Sequence, residues 1–120
     1  MNIRLSAKSK NIAGKWQVTG SKSETNRLLI LQALFPQIEI ENSSNSDDSQ
    51  VLQKALSSQE GLIDIHHAGT AMRFLTAYFS VQEGQNTILT GSKRMQERPI
   101  KLLVDALRNL GAEIKYQQEE

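Results

Sequence analysis

Residues 62–66, LIDIH, run into residues 68–80, AGTAMRFLTAYFS, and this junction decides the fold class. Leu62, Ile63 and Ile65 are set among polar residues in a short run that reads as a strand. The spacing then changes. Ala71, Met72, Leu75, Tyr78 and Phe79 recur at helical intervals and predict a third helix with one core face. A strand feeding a helix through a small-residue turn is the unit from which α/β proteins are built.

The same alternation appears on both sides. Downstream, NTILTG (86–91) reads as a strand ending at a glycine. Ile100, Leu103, Val104, Leu107 and Leu110 then define the last helix, with Pro99 in its first turn and Gly111 as its stop. AEIKY (112–116) reads as a further strand, and QQEE trails off polar. Upstream, Lys22–Phe35 reads as a helix, apolar nearly all round from Leu28 to Leu34 and therefore mostly buried, with Pro36 as its stop. QIEIEN (37–42) reads as a strand with Ile38 and Ile40 on one face. SNSD offers several N-caps for a second helix with Asp47 and Asp48 in its first turn and Val51, Leu52, Ala55 and Leu56 as its stripe. Ile3 with Leu5, and Trp16 with Val18, suggest two more short strands near the start. The expected class is α/β, with helices covering a sheet, no internal linker, and four recurring strand–helix pairs.

Composition narrows the function. With 14 Lys and Arg against 13 Asp and Glu, the net charge is +1, so nothing global attracts nucleic acid or an anionic membrane. No apolar run approaches the length needed to span a bilayer, and the N-terminus resembles no signal peptide. The absence of cysteine excludes disulfides, thiolate metal sites and a cysteine nucleophile, and fits a reducing cytoplasm. His66 and His67 stand without a ligand-rich cluster, so no metal is expected.

Three segments share one design: a strand ends, a small or polar turn follows, and a helix begins near a cation. Helix N-termini present unpaired N–H groups and a positive dipole end, so they receive phosphate or carboxylate. In the first segment, Gly20 to Arg27, Ser23 and Arg27 lie four apart on one helix face, with Lys22 at the turn. A hydroxyl, an ammonium and a guanidinium could converge there on one phosphate, or the segment is a solvated helix start with a serine cap. In the second, His67 to Arg73, Gly69 allows close backbone approach and Thr70 is placed to cap the helix; an ordinary strand–turn–helix junction would read the same. In the third, Gly91 to Ile100, three cations precede or open a helix; the alternative is a solvated basic loop with Glu97 paired to Arg94 or Arg98.

In order and along nearly the whole chain, GSKSETNRLLILQAL, NSDDSQVLQKAL, AGTAMRFL and LTGSKRMQERPIKLLVDALRNLGAEI resemble the opening quarter of the 5-enolpyruvylshikimate-3-phosphate synthase family. The resemblance implies a fold of βαβαββ units, the inside-out α/β barrel of the enolpyruvyl transferases. This chain would supply part of one lobe. Residues 1–14 would belong to the other lobe, and residues 15–120 to the N-terminal lobe. It implies enolpyruvyl transfer from phosphoenolpyruvate to shikimate 3-phosphate by a cytoplasmic, monomeric enzyme without a cofactor and without nucleic-acid or membrane partners.

Residue by residue, the resemblance places Lys22, the catalytic candidate, between the two substrates. It places Ser23 and Arg27 on shikimate 3-phosphate, the Gly69 backbone and Arg94 on phosphoenolpyruvate, Asp48 nearby, and Thr70 beside the site of the inhibitor glyphosate. His67 stands where many members carry asparagine, and Phe74 where a proline often follows AGTAMR. The stretch 55–66 is shorter than is common, so a hairpin of the first unit is expected to be missing or abbreviated. Since members of the family are several times longer, the chain alone is expected not to turn over substrate. Three other readings stay open: the related transferase acting on UDP-N-acetylglucosamine, whose lysine–asparagine motif and usual cysteine are absent here; a small anion-binding module; and a piece with no measurable affinity.

Overall fold

In the computed structural model, which describes residues 1–117, Leu62–Asp64 (β1) and Ile88–Thr90 (β2) pair in parallel. The register sets Leu62 beside Ile88 and Asp64 beside Thr90. Parallel neighbours need a long crossover, and the helix Gly69–Ser80 supplies it. The element order is α1 (Lys22–Leu34), α2 (Asp47–Ser57), β1, α3 (Gly69–Ser80), β2, α4 (Lys93–Gln96) and α5 (Lys101–Asn109). Mixed α/β is therefore the architecture. The sheet has two strands among the described residues, with one βαβ unit rather than four strand–helix pairs.

Local chemistry explains the helix starts. Ser21 caps α1 by accepting from the Glu24 N–H at 3.3 Å, in a Ser-x-x-Glu arrangement that suits a capping box. Ser46 caps α2 in the same way through the Ser49 N–H, with Asp47 and Asp48 at the positive dipole end. Gly111, with φ +100°, ends the last helical stretch where a side chain would be strained.

The core lies where α2, α3 and the sheet meet. Leu52, Ile65, Ala71 and Leu75 are completely inaccessible, and Leu29, Ala55, Ile63, Ala68 and Met95 close around them. The stripes expected for α2 and α3 are the ones buried. On α5, Val104 is buried, whereas Leu110 stays exposed, contrary to its place in the expected stripe.

Four expected strands do not form: those at 3–5, 16–18, 37–42 and 112–116. A strand needs a neighbouring edge to pair with, and the sheet ends at β1 and β2. The alternation at 37–42 is real in burial, since Ile38 and Ile40 are half-buried between exposed neighbours. Its Ile38 carbonyl is taken by the Gln32 amide at 2.9 Å instead of by a ladder. At 112–116 the Arg108 guanidinium takes the Ile114 carbonyl, with Nε at 2.9 Å, and lies over the Tyr116 ring. Residues 1–19 are exposed throughout. The radius of gyration of 18.5 Å accordingly exceeds the roughly 14 Å of a fully compact chain of this length.

Three further expectations are corrected. Helix α1 is not mostly buried: only Thr25, Asn26 and Leu29 are, while Leu31, Leu34 and Phe35 are 43%, 46% and 50% exposed. Its apolar face lines one side of an open groove of about 430 Å³, with Phe74, Ala77 and Tyr78 of α3 and Val81 just after it opposite. The last helix begins at Lys101 rather than at Pro99, because Ile100 is its cap and the Pro99 carbonyl accepts from Arg73 Nη2 at 3.0 Å. Thr70 is not a cap: α3 starts at Gly69 after Ala68 and has no side-chain cap.

Candidate functional site

The first anion-shaped corner is built by α1 and the loop that enters α2. Gly20 lets the two backbones touch. A Cβ there would sit 2.0 Å from the Asn42 carbonyl oxygen, closer than any real contact, while Asn42 takes φ 49°. Thr19 Oγ1 donates to Asn45 at 3.2 Å across the same junction. Lys22, the first residue of α1, then reaches the Asp48 carboxylate, Nζ to Oδ2 at 3.6 Å. An ammonium at a helix N-terminus opposes the dipole by about 0.3–1 kcal/mol, so α1 gains nothing from Lys22 being there.

Ser23 and Arg27 share one face as expected, and Arg27 Nη1 donates to the Ser23 carbonyl at 2.8 Å. The guanidinium also lies 5.6 Å above the Phe74 ring of α3. That contact tethers the first corner to the βαβ unit, and it uses the residue found where proline was the common choice.

The second and third corners lie together beyond the C-terminal ends of the two parallel strands, the edge at which open α/β sheets bind ligands. His66, with φ 51°, turns the chain out of β1, and Asp64 Oδ1 supports the turn by accepting its N–H at 2.8 Å. Ser92 N donates to the His66 carbonyl at 2.9 Å, and His67 Nδ1 meets Ser92 Oγ at 2.9 Å. Ser92 caps α4 through the Met95 N–H at 3.3 Å. Two consecutive histidines thus clasp the residue that opens the helix bearing Lys93 and Arg94.

Gly69 is buried in the first turn of α3, and its free face is covered by a guanidinium. A Cβ there would meet Arg98 Nη1 at 2.0 Å. Arg73 Nη1 donates to the Gly69 carbonyl at 3.3 Å, so two guanidinium groups flank one glycine. The Arg94 side chain is exposed. Among the described residues, neither Arg94 nor Arg98 has a carboxylate within 4.0 Å, so the Glu97 pairing of the alternative reading does not form. Thr70 is half-buried inside the first turn of α3.

Of the candidates, the structure joins Lys22 to Asp48 and Ser23 to Arg27, and it sets His67, Gly69 and Arg94 around one sheet edge. Sequence reading named Arg98 only as a loop cation, and it missed Ser92 and the buried pair Asn26 and Ser49. The signal for the last pair was present: Asn26 follows Lys22 at i+4, on the side of α1 that also carries Leu29. Among the described residues, no three His, Asp or Glu side chains cluster as metal ligands, and no helix is long and apolar enough to cross a membrane.

The family of EPSP synthase (3-phosphoshikimate 1-carboxyvinyltransferase) matches over residues 38–120. A 3-phosphoshikimate 1-carboxyvinyltransferase of Bacteroides fragilis is 51% identical over 121 residues, covering 100% of this chain and 29% of that protein. The enzyme of that name from Mannheimia haemolytica is 37% identical, covering 91% of this chain and 32% of its own length. The pentafunctional AROM polypeptide of Scheffersomyces stipitis is 37% identical over 84% of this chain and 8% of its own. The chain therefore spans less than a third of the length of the Bacteroides relative. No solved structure matches. Four motifs in order, the cationic corners they form, and similarity along the whole chain place this protein in the EPSP synthase (3-phosphoshikimate 1-carboxyvinyltransferase) family.

Proposed function

We propose that this chain supplies the N-terminal part of an enzyme that transfers the enolpyruvyl group of phosphoenolpyruvate to the 5-hydroxyl of shikimate 3-phosphate. The observation that carries the reading is the start of α1. Lys22 and Ser23 lie in its first turn behind the Ser21 cap, and Arg27 follows one turn on with its guanidinium on the Ser23 carbonyl at 2.8 Å, while Asp48 lies 3.6 Å from the Lys22 ammonium. Both substrates are polyanions, and charge builds on them as they react, so converging fixed cations are what the chemistry needs. The 5-hydroxyl oxygen attacks C2 of phosphoenolpyruvate and loses its proton, while C3 gains one. The tetrahedral adduct then expels phosphate and gives up a C3 proton, leaving the enol ether.

Lys22 would lie between the substrates. Ser23 and Arg27 would hold shikimate 3-phosphate. The Gly69 backbone and Arg94 would border phosphoenolpyruvate, with Asp48 and His67 close by and Thr70 next to where glyphosate would sit. The whole enzyme would be a cytoplasmic monomer that needs no cofactor. Its two lobes would be built of βαβαββ units as an inside-out α/β barrel, with residues 1–14 in one lobe and residues 15–120 in the other. The chain alone would bind without turnover, because it spans only 29% of the length of the Bacteroides relative.

An amide-resolved NMR titration of the chain tests this. Shikimate 3-phosphate should give saturable shifts at Lys22, Ser23 and Arg27. Phosphoenolpyruvate added next should move Gly69 and Arg94. UDP-N-acetylglucosamine should move none of them. Well-dispersed peaks unmoved by shikimate 3-phosphate would defeat the assignment of a substrate surface to this segment, and a stronger response to the sugar nucleotide would reassign the substrate.

A further inference from the structure

The buried polar side chains of the described residues are Thr25, Asn26 and Ser49, and all three meet at one place, between α1 and the start of α2. Asn26 is completely inaccessible. Its Oδ1 accepts from Ser49 Oγ at 2.7 Å, and its Nδ2 is buried without a partner among the described residues. A buried amide with an unmade hydrogen bond lowers stability, and an apolar residue of similar volume would hold α1 against α2 more cheaply. The consequence of having Asn26 there lies in geometry.

The bonds around it close a ring. Thr25 Oγ1 accepts from the Ser44 N–H at 2.9 Å, and Ser44 Oγ accepts from the Ser46 N–H at 3.1 Å. Ser46 Oγ donates to Ser49 Oγ at 3.0 Å, and Ser49 Oγ donates to Asn26. The loop 44–49 is thereby fastened to two consecutive residues of α1 at both of its ends. Thr25 and Asn26 follow Lys22 at i+3 and i+4, the spacing that shares a helix face. Asp48 immediately precedes Ser49 in the first turn of α2. Fixing Ser49 to Asn26 therefore fixes the carboxylate opposite the ammonium, although neither charged group belongs to the ring.

We propose that Asn26 is a positioning residue. Through Ser49 it sets the approach of Asp48 to Lys22, and so the place where the Lys22 ammonium is held. The proposal rests on the reading of Lys22 as a substrate-binding group, but its primary test needs no ligand. In the parent chain, Asp48→Asn should shift the NMR resonances of the Lys22 ε-methylene. In Asn26→Ala and in Ser49→Ala the same substitution should leave them unmoved, and Ser49→Thr, which keeps the hydroxyl, should restore the response. Ser49→Ala should also weaken shikimate 3-phosphate binding roughly two- to fivefold, the size of an exposed ion pair's coupling.

Should Asn26→Ala fail to fold, the contrast between Ser49→Ala and Ser49→Thr decides the matter. A Lys22 response that persists at full size in folded Asn26→Ala or Ser49→Ala would overturn the proposal. So would a parent chain whose Lys22 ignores Asp48→Asn. If the coupling behaves as expected and shikimate 3-phosphate still does not bind, the positioning role stands and the functional reading of the corner fails.

Discussion

Lys22 and Asp48 face one another at 3.6 Å across the junction of α1 and α2, with the lysine half exposed and the aspartate one quarter exposed. So open a pair contributes little to folding, because solvent screens it and two side chains must be ordered to make it. Lys22→Ala should therefore change the free energy of unfolding by no more than about 1 kcal/mol in urea denaturation. Binding should respond differently. The same variant should lose the chemical-shift response to shikimate 3-phosphate altogether, whereas Asp48→Asn, which leaves the ammonium in place, should keep it in part. Equal losses of stability and binding would mark Lys22 as a structural residue.

Charge at the other end of the chain gives a pH dependence. Lys101 is hydrogen-bonded to Asp105 one turn further along α5, and that bond, with the attraction between the charges, raises the lysine above its ordinary 10.5. A raised folded-state value means that the folded chain holds the proton more tightly than the unfolded chain does. The resulting stabilisation is complete below pH 10.5 and fades as pH rises through the higher folded value. Thermal melts of the parent chain and of Lys101→Ala should therefore differ by a small constant amount at neutral pH and converge above pH 10.5. Asp105 also lies 3.9 Å from Arg108, so Asp105→Ala should remove this pH dependence and a little more besides. Melting curves that diverge further in alkali would contradict the assignment.

What the sequence made legible, and what it did not, follows the range of the forces involved. Helical stripes such as Leu52 with Ala55 and Ala71 with Leu75 depend on local periodicity and could be read directly. So could a serine cap at the start of α1. Strands are a different matter, because an extended segment becomes a strand only when an edge is there to receive it. Ile38 and Ile40 alternate as a strand should, yet the Gln32 side chain claims the backbone between them. The site divides in the same way. Ser23 and Arg27 were visible as an i, i+4 pair. Asn26 to Ser49, His67 to Ser92 and Gly69 beneath Arg98 join residues more than twenty positions apart, and no local pattern announces them.

Two glycines set folding against the proposed binding role. At Gly20 a methyl group would collide with the Asn42 carbonyl oxygen at 2.0 Å, and backbone cannot swing aside. Gly20→Ala should therefore destabilise the chain by roughly 1–3 kcal/mol, as overpacked sites do. At Gly69 the colliding atom is Arg98 Nη1, also at 2.0 Å, the far end of a flexible side chain on an exposed residue. Gly69→Ala should then cost little stability, since the guanidinium can move away and Ala suits a helix better than Gly does. The added methyl would instead occupy the face that an incoming carboxylate or phosphate would use at the start of α3. Urea denaturation and phosphoenolpyruvate titration of the two variants side by side should give opposite patterns. Gly20→Ala should be the less stable, whereas Gly69→Ala should stay folded and lose its response to phosphoenolpyruvate. A Gly69→Ala chain that unfolds readily, or that binds phosphoenolpyruvate as the parent does, would show that this glycine serves packing alone.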